Sequence, residues 1–330
     1  MTLGCGLIGA GVMGRELAEA LGAGVAEARV VAAYDPHAPA LASLRDTFGP
    51  EAAGSLQELL ARPDIQAVIV ATPNHLHCEQ TIAAAEAGKH VFCEKPMALS
   101  TKDCDRMIAA CERAGVKLMV GQSARLQPLA RRLLEVAQRG ELGKPLFGLA
   151  TYLFTGFRER DSGVWHVAQS SSGGLLFHMA IHQIDLFHAL FGPTRRLQYA
   201  GGRYGKQVRD FDDVATILLD FASGATGVIS ASSISPVRTT EMRLLFSDGF
   251  ARLDNPYTFL EYGPDADRAT RVTAEEIAGP GAVEIELRSF ARWIVYDEPP
   301  VLTAAEGRAA VAVAEAADNA KSAGTAVALD

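Results

Sequence analysis

The stretch that decides the fold is Gly6-Leu7-Ile8-Gly9-Ala10-Gly11-Val12-Met13-Gly14, near the start of the sequence. The apolar run that leads into it predicts a buried strand, and the apolar periodicity after it predicts a helix. A strand, a Gly-x-Gly-x-x-Gly turn and a helix in this order are typical of a dinucleotide-binding site. Gly9 permits the tight turn, Gly11 permits close approach of a pyrophosphate, and Gly14 permits close packing of helix on strand.

A second signal lies at the end of the next predicted strand, residues 30–34, where Asp35 follows. Free backbone N–H groups at the helix start, at Val12 and Met13, are expected to face the phosphates. Asp35 lies about 20 residues after Gly14, where an acid holds the adenosine ribose hydroxyls. A carboxylate there repels a 2′-phosphate, so NAD is predicted over NADP. The alternative interpretation is an ordinary strand–helix turn followed by a surface aspartate.

Composition limits the class of protein. The 330 residues are 48% hydrophobic and 21% charged, with a net charge of −8, which disfavours nucleic acids and acidic membrane surfaces as partners. No apolar run is long enough to span a membrane, and the N-terminus carries no basic region of a signal peptide. The five cysteines form no Cys-x-x-Cys pair. We therefore predict a cytoplasmic protein with reduced thiols.

The pattern of elements predicts two domains. Strand and helix signals alternate up to residue 121, which predicts a parallel sheet with helices on both faces, the α/β Rossmann arrangement, over residues 1–121. Residues 122–330 show strands joined by short turns, which predict an α+β domain with a largely antiparallel open sheet. A C-terminal helix at about 304–322 is expected to pack back on the N-terminal domain. Three candidate binding clusters, residues 9–14, 72–77 and 94–96, follow predicted strands at the edge where ligands bind.

A predicted helix over residues 175–191 carries His178, His182 and Asp185 on one narrow stripe, if each residue turns by 100°. The rest of the helix is apolar, so we expect the stripe to line a cleft. A histidine–aspartate network that satisfies itself in the core is the structural alternative. The spacing of the two histidines also fits helical zinc ligands, but the glutamate of His-Glu-x-x-His is missing, and we predict no metal site.

Lys95 stands between Glu94 and Pro96 at the end of another predicted strand. A lysine in this place is often a solvated head on an apolar stem. Close to a bound nicotinamide it can instead titrate low enough to exchange protons. The Lys95–Pro96 bond is a candidate for the cis form.

Together these residues resemble the glucose–fructose oxidoreductase, inositol dehydrogenase and rhizopine-catabolism family (Gfo/Idh/MocA). The resemblance covers nearly the whole chain. It rests on the glycine turn with Asp35, Ala71-Thr72-Pro73-Asn74-His75-Leu76-His77, Glu94-Lys95-Pro96, Gly143-Lys144-Pro145, Gly173-Gly174, His182-x-x-Asp185 and Ala320-Lys321-Ser322-Ala323. The family implies a Rossmann domain followed by a domain on an open sheet, one face of which often forms dimer or tetramer contacts. A homodimer or homotetramer is therefore expected.

The resemblance also implies an activity. It is NAD(P)-dependent hydride transfer between nicotinamide and a secondary alcohol or ketone of a sugar, cyclitol or related polyol. The implied catalytic residues are Lys95 and His182, and the implied substrate-binding residues are His178, Asp185, Trp165 and Arg125. The implied cofactor-binding set is Gly9, Gly11, Val12, Met13, Gly14, Asp35, Thr72, Pro73, Asn74, His77, Glu94 and Lys95.

The chain departs from the family pattern around the catalytic helix. His178 stands where the family usually has aspartate, Ala180 and Ser172 replace glycines, and His166 follows Trp165 in place of arginine. These changes leave open a different polyol, a sugar acid or a non-sugar carbonyl as substrate. Rival functions are an NAD-assisted, redox-elimination glycosidase, a reductase of a carbonyl or imine, and a non-enzymatic NAD-sensing regulator.

Overall fold

The computed structural model describes residues 2–156, 165–205, 209–254, 258–277 and 279–329. The chain divides into two compact units. One comprises Met1–Ser123 and Pro280–Arg308, and the other comprises Ala124–Gly279 and Ala309–Asp330. The expected boundary after residue 121 lies close to the first of these divisions. The division differs from the expectation in placing Pro280–Arg308 with the N-terminal residues.

The first unit is built on a six-stranded parallel sheet in the order β3-β2-β1-β4-β5-β6. The strands are β1 Leu3–Ile8, β2 Ala28–Tyr34, β3 Glu51–Ala52, β4 Ala67–Val70, β5 His90–Glu94 and β6 Leu118–Gly121. The helices that connect them are α1 Val12–Gly24, α2 Ala38–Phe48, α3 Leu56–Ala61, α4 His77–Glu86 and α5 Thr101–Ala114. Every residue of β1 and β4 is buried, as continuous apolar runs predict for a parallel sheet covered on both faces.

Capping residues set the limits of several helices. Ser55 Oγ accepts the Glu58 N–H at 3.0 Å and begins α3, and Ser100 Oγ accepts the Asp103 N–H at 3.1 Å and begins α5. Gly115 ends α5 in the left-handed region, with φ of 66°. Serine before a helix and glycine after it are the residues that these positions favour.

A helix that the sequence pattern did not predict completes the first unit. This helix, α9 Ala282–Tyr296, packs on α1 and β6, and Phe290 lies edge-on to Phe92 of β5 with ring centroids 5.8 Å apart. Arg308, at the start of helix α10 Ala304–Ala323, pairs with Asp105 at 2.5 Å. These contacts explain why Pro280–Arg308 groups with the N-terminal residues.

The second unit is built on a nine-stranded sheet in the order β14-β13-β12-β11-β7-β10-β9-β8-β15. Its strands are β7 Pro145–Thr155, β8 Thr194–Gly202, β9 Val214–Phe221, β10 Thr226–Ser232, β11 Ile234–Phe246, β12 Phe250–Leu253, β13 Phe259–Gly263, β14 Thr270–Thr273 and β15 Val327–Ala328. Strand β7 runs parallel to β10, and the other pairings are antiparallel. The predicted fold class, a Rossmann domain plus an α+β domain with a largely antiparallel sheet, is confirmed.

The helices of the second unit differ from the predicted ones at one place. They are α6 Pro128–Gln138, the short α7 Gln169–Ser172 and α8 Ile181–Phe191. The single helix predicted over 175–191 is wrong in its first part, because Leu176–Ala180 form a π-helix before α8 begins. In a π-helix hydrogen bonds run from i to i+5, so the rotation of 100° per residue does not hold from His178 to His182. Among the described residues, no helix combines the length and the apolar character needed to cross a bilayer.

Candidate active site

The glycine turn of the first unit has the geometry that a dinucleotide needs. Gly9 has φ of +101°, and a Cβ on it would lie 2.5 Å from the Ala71 carbonyl oxygen. A Cβ on Gly14 would collide with the Gly9 carbonyl oxygen, whereas a Cβ on Gly11 would meet nothing within 4 Å. Gly11 therefore borders open space. Among the described residues, no side chain caps the N-terminus of α1, so its N–H groups and positive dipole end face that space.

Asp35 is held at the carboxyl end of β2 by the turn itself. Its Oδ2 accepts the N–H of Ala10 at 2.7 Å, and its Oδ1 accepts the N–H of His37 at 2.7 Å. Each carboxylate oxygen can accept more than one hydrogen bond. The carboxylate can therefore fix the glycine turn and still bind a ribose hydroxyl.

The loop after β4 is tied to the loop after β5 through His77. The ring of His77 is completely buried, with Nδ1 2.8 Å from the Pro96 carbonyl oxygen and Nε2 2.9 Å from the Thr72 carbonyl oxygen. Burial lowers the pKa of His77, and the two carbonyl contacts act in the opposite direction. The structure places this predicted cofactor residue in the interior, as a link between two loops. Thr72 is fixed in turn by its hydroxyl, which donates to Gln80 Oε1 at 2.6 Å.

Lys95 follows directly after β5, and the Lys95–Pro96 peptide bond is cis, as the sequence allowed. Its backbone N–H donates to Glu94 Oε2 at 3.2 Å. Burial lowers the pKa of the Lys95 ammonium, and the neighbouring charge of Glu94 opposes that shift. Burial raises the pKa of the Glu94 carboxyl to about 7, against the effect of Lys95. Both groups are thus moved towards neutral pH, where a proton is exchanged most readily.

In the second unit the predicted substrate residues Arg125 and Asp185 form a buried ion pair. Arg125 is 8% exposed and Asp185 is 1% exposed. Arg125 Nε donates to Asp185 Oδ2 at 2.7 Å, and its Nη2 donates to Asp185 Oδ1. This is the bidentate fork of an arginine on a carboxylate. Asp185 is therefore engaged by Arg125 in the structure.

Two aromatic side chains lie around His178. The Trp165 ring lies edge-on to His178 at 5.2 Å, and the His166 ring stacks on His178 at 6.4 Å with planes 13° apart. The π-helix carries His178, and α8 carries His182 in its first turn. Single-turn π-helices are frequent at functional sites. His188, further along α8, lies within 3.0 Å of Thr194 Oγ1, as a structural residue would.

Topology brings the cofactor residues of the first unit to one sheet edge. The glycine turn, Asp35, the Thr72–Asn74 segment and Lys95 follow the carboxyl ends of β1, β2, β4 and β5, which are neighbours in the sheet. Within the described ranges, no three His, Cys, Asp or Glu side chains gather as metal ligands. Glu286 of this unit is an ionisable residue that the sequence motifs did not predict as part of a site. The signal for it in the sequence is an acid on the apolar face of the amphipathic helix α9.

Comparison with known proteins agrees with this geometry. Residues 3–122 match the model described as "Oxidoreductase family, NAD-binding Rossmann fold", and residues 130–252 match the GFO/IDH/MocA C-terminal domain. The chain belongs to the Gfo/Idh/MocA oxidoreductase family. Its resemblance to that family is therefore confirmed.

Relatives within the Gfo/Idh/MocA family have diverse names. The chain is 30% identical over 323 residues to myo-inositol 2-dehydrogenase of Thermotoga maritima, an alignment that covers 94% of each protein. It is 33% identical over 237 residues to 2,7-anhydro-N-acetylneuraminate hydratase of Mediterraneibacter gnavus, which covers 70% of this chain and 62% of the hydratase. A solved structure of levoglucosan dehydrogenase in complex with NADH has the same fold, with a TM-score of 0.91 over the whole of both chains at 24% identity.

Proposed function

We propose that this protein is an NAD-dependent dehydrogenase acting on a secondary alcohol, or in reverse on a ketone, of a sugar, cyclitol or related polyol. The observation that carries the proposal is the sheet edge of the first unit, where the glycine turn, Asp35 and Lys95 follow neighbouring strands. Membership of an NAD-binding oxidoreductase family supports it. The similarity to myo-inositol 2-dehydrogenase over 94% of the chain favours a polyol-type substrate.

The residues present fit a nicotinamide dinucleotide. The pyrophosphate would be held by the Gly9–Gly14 turn and the N-terminus of α1, where Gly11 borders open space. Asp35 would bind the adenosine ribose and disfavour a 2′-phosphate, which supports NAD over NADP. When bound, the nicotinamide supplies the acceptor for the substrate hydride.

Lys95 is the proposed acid–base group of the first unit. Because burial lowers its pKa, the ammonium gives up its proton more readily than a solvated lysine does. In its charged form it stabilises an alkoxide that develops on the substrate, and by exchanging its own proton it can relay the proton that has left the substrate hydroxyl. The charge of the neighbouring Glu94 raises the pKa of Lys95 and so opposes complete loss of the ammonium charge. The His77 link ties the backbone directly after this group, at Pro96, to the Thr72 loop.

His182 is the proposed general base of the second unit, because an imidazole titrates near neutral pH. His178 and Trp165 are proposed to contact the substrate. Arg125 is proposed to present a guanidinium whose direction is fixed by Asp185, so Asp185 acts through its partner. The imidazole of His178, where the family usually has aspartate, suits a substrate other than the usual inositol or glucose.

A second function is favoured by one comparison. The anhydroneuraminate hydratase relative bears a name that describes no net oxidation. An enzyme of that kind would use bound NAD transiently to eliminate a sugar substituent, and would release no NADH.

The test is a spectrophotometric assay of NADH formation over panels of polyols, aldoses, sugar acids and amino-polyols. We expect NADH formation with at least one secondary alcohol, and its loss in the Lys95→Met variant. Consumption of an anhydro or glycosidic sugar with retained cofactor and no net NADH would establish the second function. A preparation that binds neither NAD nor NADP, measured by fluorescence titration, would contradict both functions.

We further propose that the open face of the nine-stranded sheet binds a second copy of this chain. Phe147 and Leu245 are cross-strand neighbours on β7 and β11 and are 38% and 50% exposed. The charges beside them are balanced within the chain, since Arg243 lies 3.7 Å from Glu241 and Arg252 lies 3.7 Å from Asp254. A neutral apolar patch with a charged rim suits an identical partner.

A further inference from the structure

A buried acid of the first unit has no place in the mechanism above. Glu286 lies on the inner face of α9 with Leu287, Phe290 and Ala291, and its side chain is 0% exposed. Among the described residues, neither of its carboxyl oxygens has a hydrogen-bond partner. An unpartnered buried carboxyl destabilises a fold, so its presence calls for a functional explanation.

The position of Glu286 follows from a contact of its own helix. Phe290 lies against Phe92, and Glu286 comes four residues before Phe290, one turn or about 6 Å along the same helix face. Glu94 comes two residues after Phe92, about 6.6 Å along the same sheet face. The lysine just before β6 donates to a carbonyl oxygen in the last turn of α9, and β5 and β6 are parallel, so the helix runs opposite to both strands. Glu286 therefore lies over Glu94, beside the two phenylalanines.

Gly121 of the neighbouring strand shows independently which face of the sheet carries Glu94. A Cβ on Gly121 would lie 2.9 Å from Phe92 Cζ and 3.1 Å from Glu94 Oε1. Both side chains therefore extend over β6 on one face of the sheet, the strand on which α9 packs. The carboxylate of Glu94 also raises the pKa of Glu286, which is consistent with the two carboxyls facing each other.

The charges around the two acids differ. Glu94 faces the ammonium of Lys95 and also Glu16 of α1. The charged groups that face Glu286 are Glu94 and Glu16, both acidic, and β6 contributes none, since it reads Leu-Met-Val-Gly. Burial, Glu94 and Glu16 all raise the pKa of Glu286 well above its ordinary value. Two facing buried carboxyls do not both ionise, so Glu94 takes the charge and Glu286 keeps its proton.

We propose that Glu94 and Glu286 form a buried carboxyl pair that retains one proton at neutral pH, and that Glu286 is a positioning residue that sets the charge beside Lys95. This inference rests on the proposed function, because it takes Lys95 as the acid–base group. The uncharged polar side chain of Glu286 solvates the Glu94 carboxylate from the interior. Glu94 can then remain ionised and stabilise the ammonium form of Lys95 between turnovers.

The protonation of Glu286 is measured without any activity. We expect an infrared carbonyl band of a protonated carboxylic acid at neutral pH, shifted by deuterium exchange only slowly and lost in Glu286→Gln. Glu284→Gln, two residues earlier on the same helix but partly exposed, is the matched control and should keep the band. A wild-type spectrum without the band, or a band that survives in Glu286→Gln, overturns the proposal.

The effect on Lys95 is measured by the pH profile of kcat/KM for NAD reduction. Glu286→Leu surrounds Glu94 with apolar groups, so the pKa of Glu94 rises and the acid limb of the profile moves up by about one pH unit. Glu286→Gln keeps a neutral polar group and should leave that limb within a fraction of a unit. If Glu286 had a merely structural role, its replacement would change kcat/KM by the same factor at every pH. Acid limbs at the same pH in both variants would overturn the assignment of Glu286 as a positioning residue.

The two arms separate this inference from the proposed function. If the protein reduces no NAD with any substrate, the rate profile is lost but the infrared result stands. If Glu286→Leu does not fold, the spectra of the wild type and Glu286→Gln still decide whether the pair holds its proton.

Discussion

His182 is the residue whose replacement should affect turnover most while sparing the cofactor. An asparagine has a similar shape but cannot take up the substrate proton, so His182→Asn should lower kcat by roughly 10²–10⁴-fold. The measurement is steady-state turnover beside NAD affinity from fluorescence titration, which should be unchanged. Near-normal turnover would show that another group is the base.

Asp35 should control the choice between the two nicotinamide dinucleotides. Asp35→Asn keeps an oxygen that can accept a hydrogen bond from Ala10 or His37 but removes the charge, whereas Asp35→Ser also shortens the side chain. Both variants should narrow the ratio of kcat/KM for NAD over NADP. An unchanged ratio in Asp35→Asn would mean that the carboxylate does not face the ribose.

His188 should make the protein less stable in acid. Burial lowers its pKa from 6.5 to about 4, so the folded protein binds fewer protons than the unfolded chain between these values. Its contribution to stability is therefore complete above about pH 6.5 and is lost as the pH falls to about 4, a change of about 3 kcal/mol. Urea unfolding at several pH values should show a smaller acid loss in His188→Gln. An equal loss in both proteins would contradict the buried neutral state.

At the scale of elements, breaking the ion pair between Arg125 and Asp185 of α8 should lower the free energy of unfolding strongly, whereas replacing both residues should lower it little. Asp185→Leu leaves a guanidinium buried without its carboxylate and should lower the free energy of unfolding by about 3–5 kcal/mol. The double variant Arg125→Met/Asp185→Leu should regain most of that loss, since no buried charge remains. Chemical denaturation of the wild type, Asp185→Leu, Arg125→Met and the double variant gives the coupling, and an additive double variant would argue against the pair.

The elements themselves were predictable where local chemistry decides them. The apolar runs of β1 and β4 and the caps at Ser55 and Ser100 depend only on near neighbours in sequence. The π-helix over Leu176–Ala180 was not predictable, because its hydrogen bonds depart from the regular helix that a periodicity argument assumes. The place of α9 in the first unit, and with it the position of Glu286, could not be predicted, because it depends on contacts with α1 and β6, which are remote in sequence.

At the scale of the whole molecule, the exposed apolar patch on the second unit should control assembly. Leu245→Glu places a charge in the centre of that patch and should convert the expected dimer or tetramer to a smaller species. Light scattering coupled to gel filtration measures the mass. Val237→Glu, on the same strand and 64% exposed, is the matched control and should not change it. An unchanged mass for Leu245→Glu would place the assembly surface elsewhere.

The sequence identified the candidate site residues along the chain better than it predicted which of them contact each other. The glycine turn, Asp35, Thr72 and Lys95 could be placed at one sheet edge because parallel strands present their carboxyl ends together. The pairing of Arg125 with Asp185 and the stacking of His166 on His178 involve residues far apart in sequence or in an irregular segment. No local pattern encodes those contacts.

The chain leaves the first unit at Ser123 and returns to it at Pro280. This route limits how fragments and chimeras of such proteins can be designed. A fragment that stops at Ser123 lacks the helix that covers Phe92. It would therefore expose an apolar surface and aggregate. Chimeras between relatives accordingly need three crossover points, near residues 123, 279 and 308, if each unit is to keep the helices that cover its own sheet.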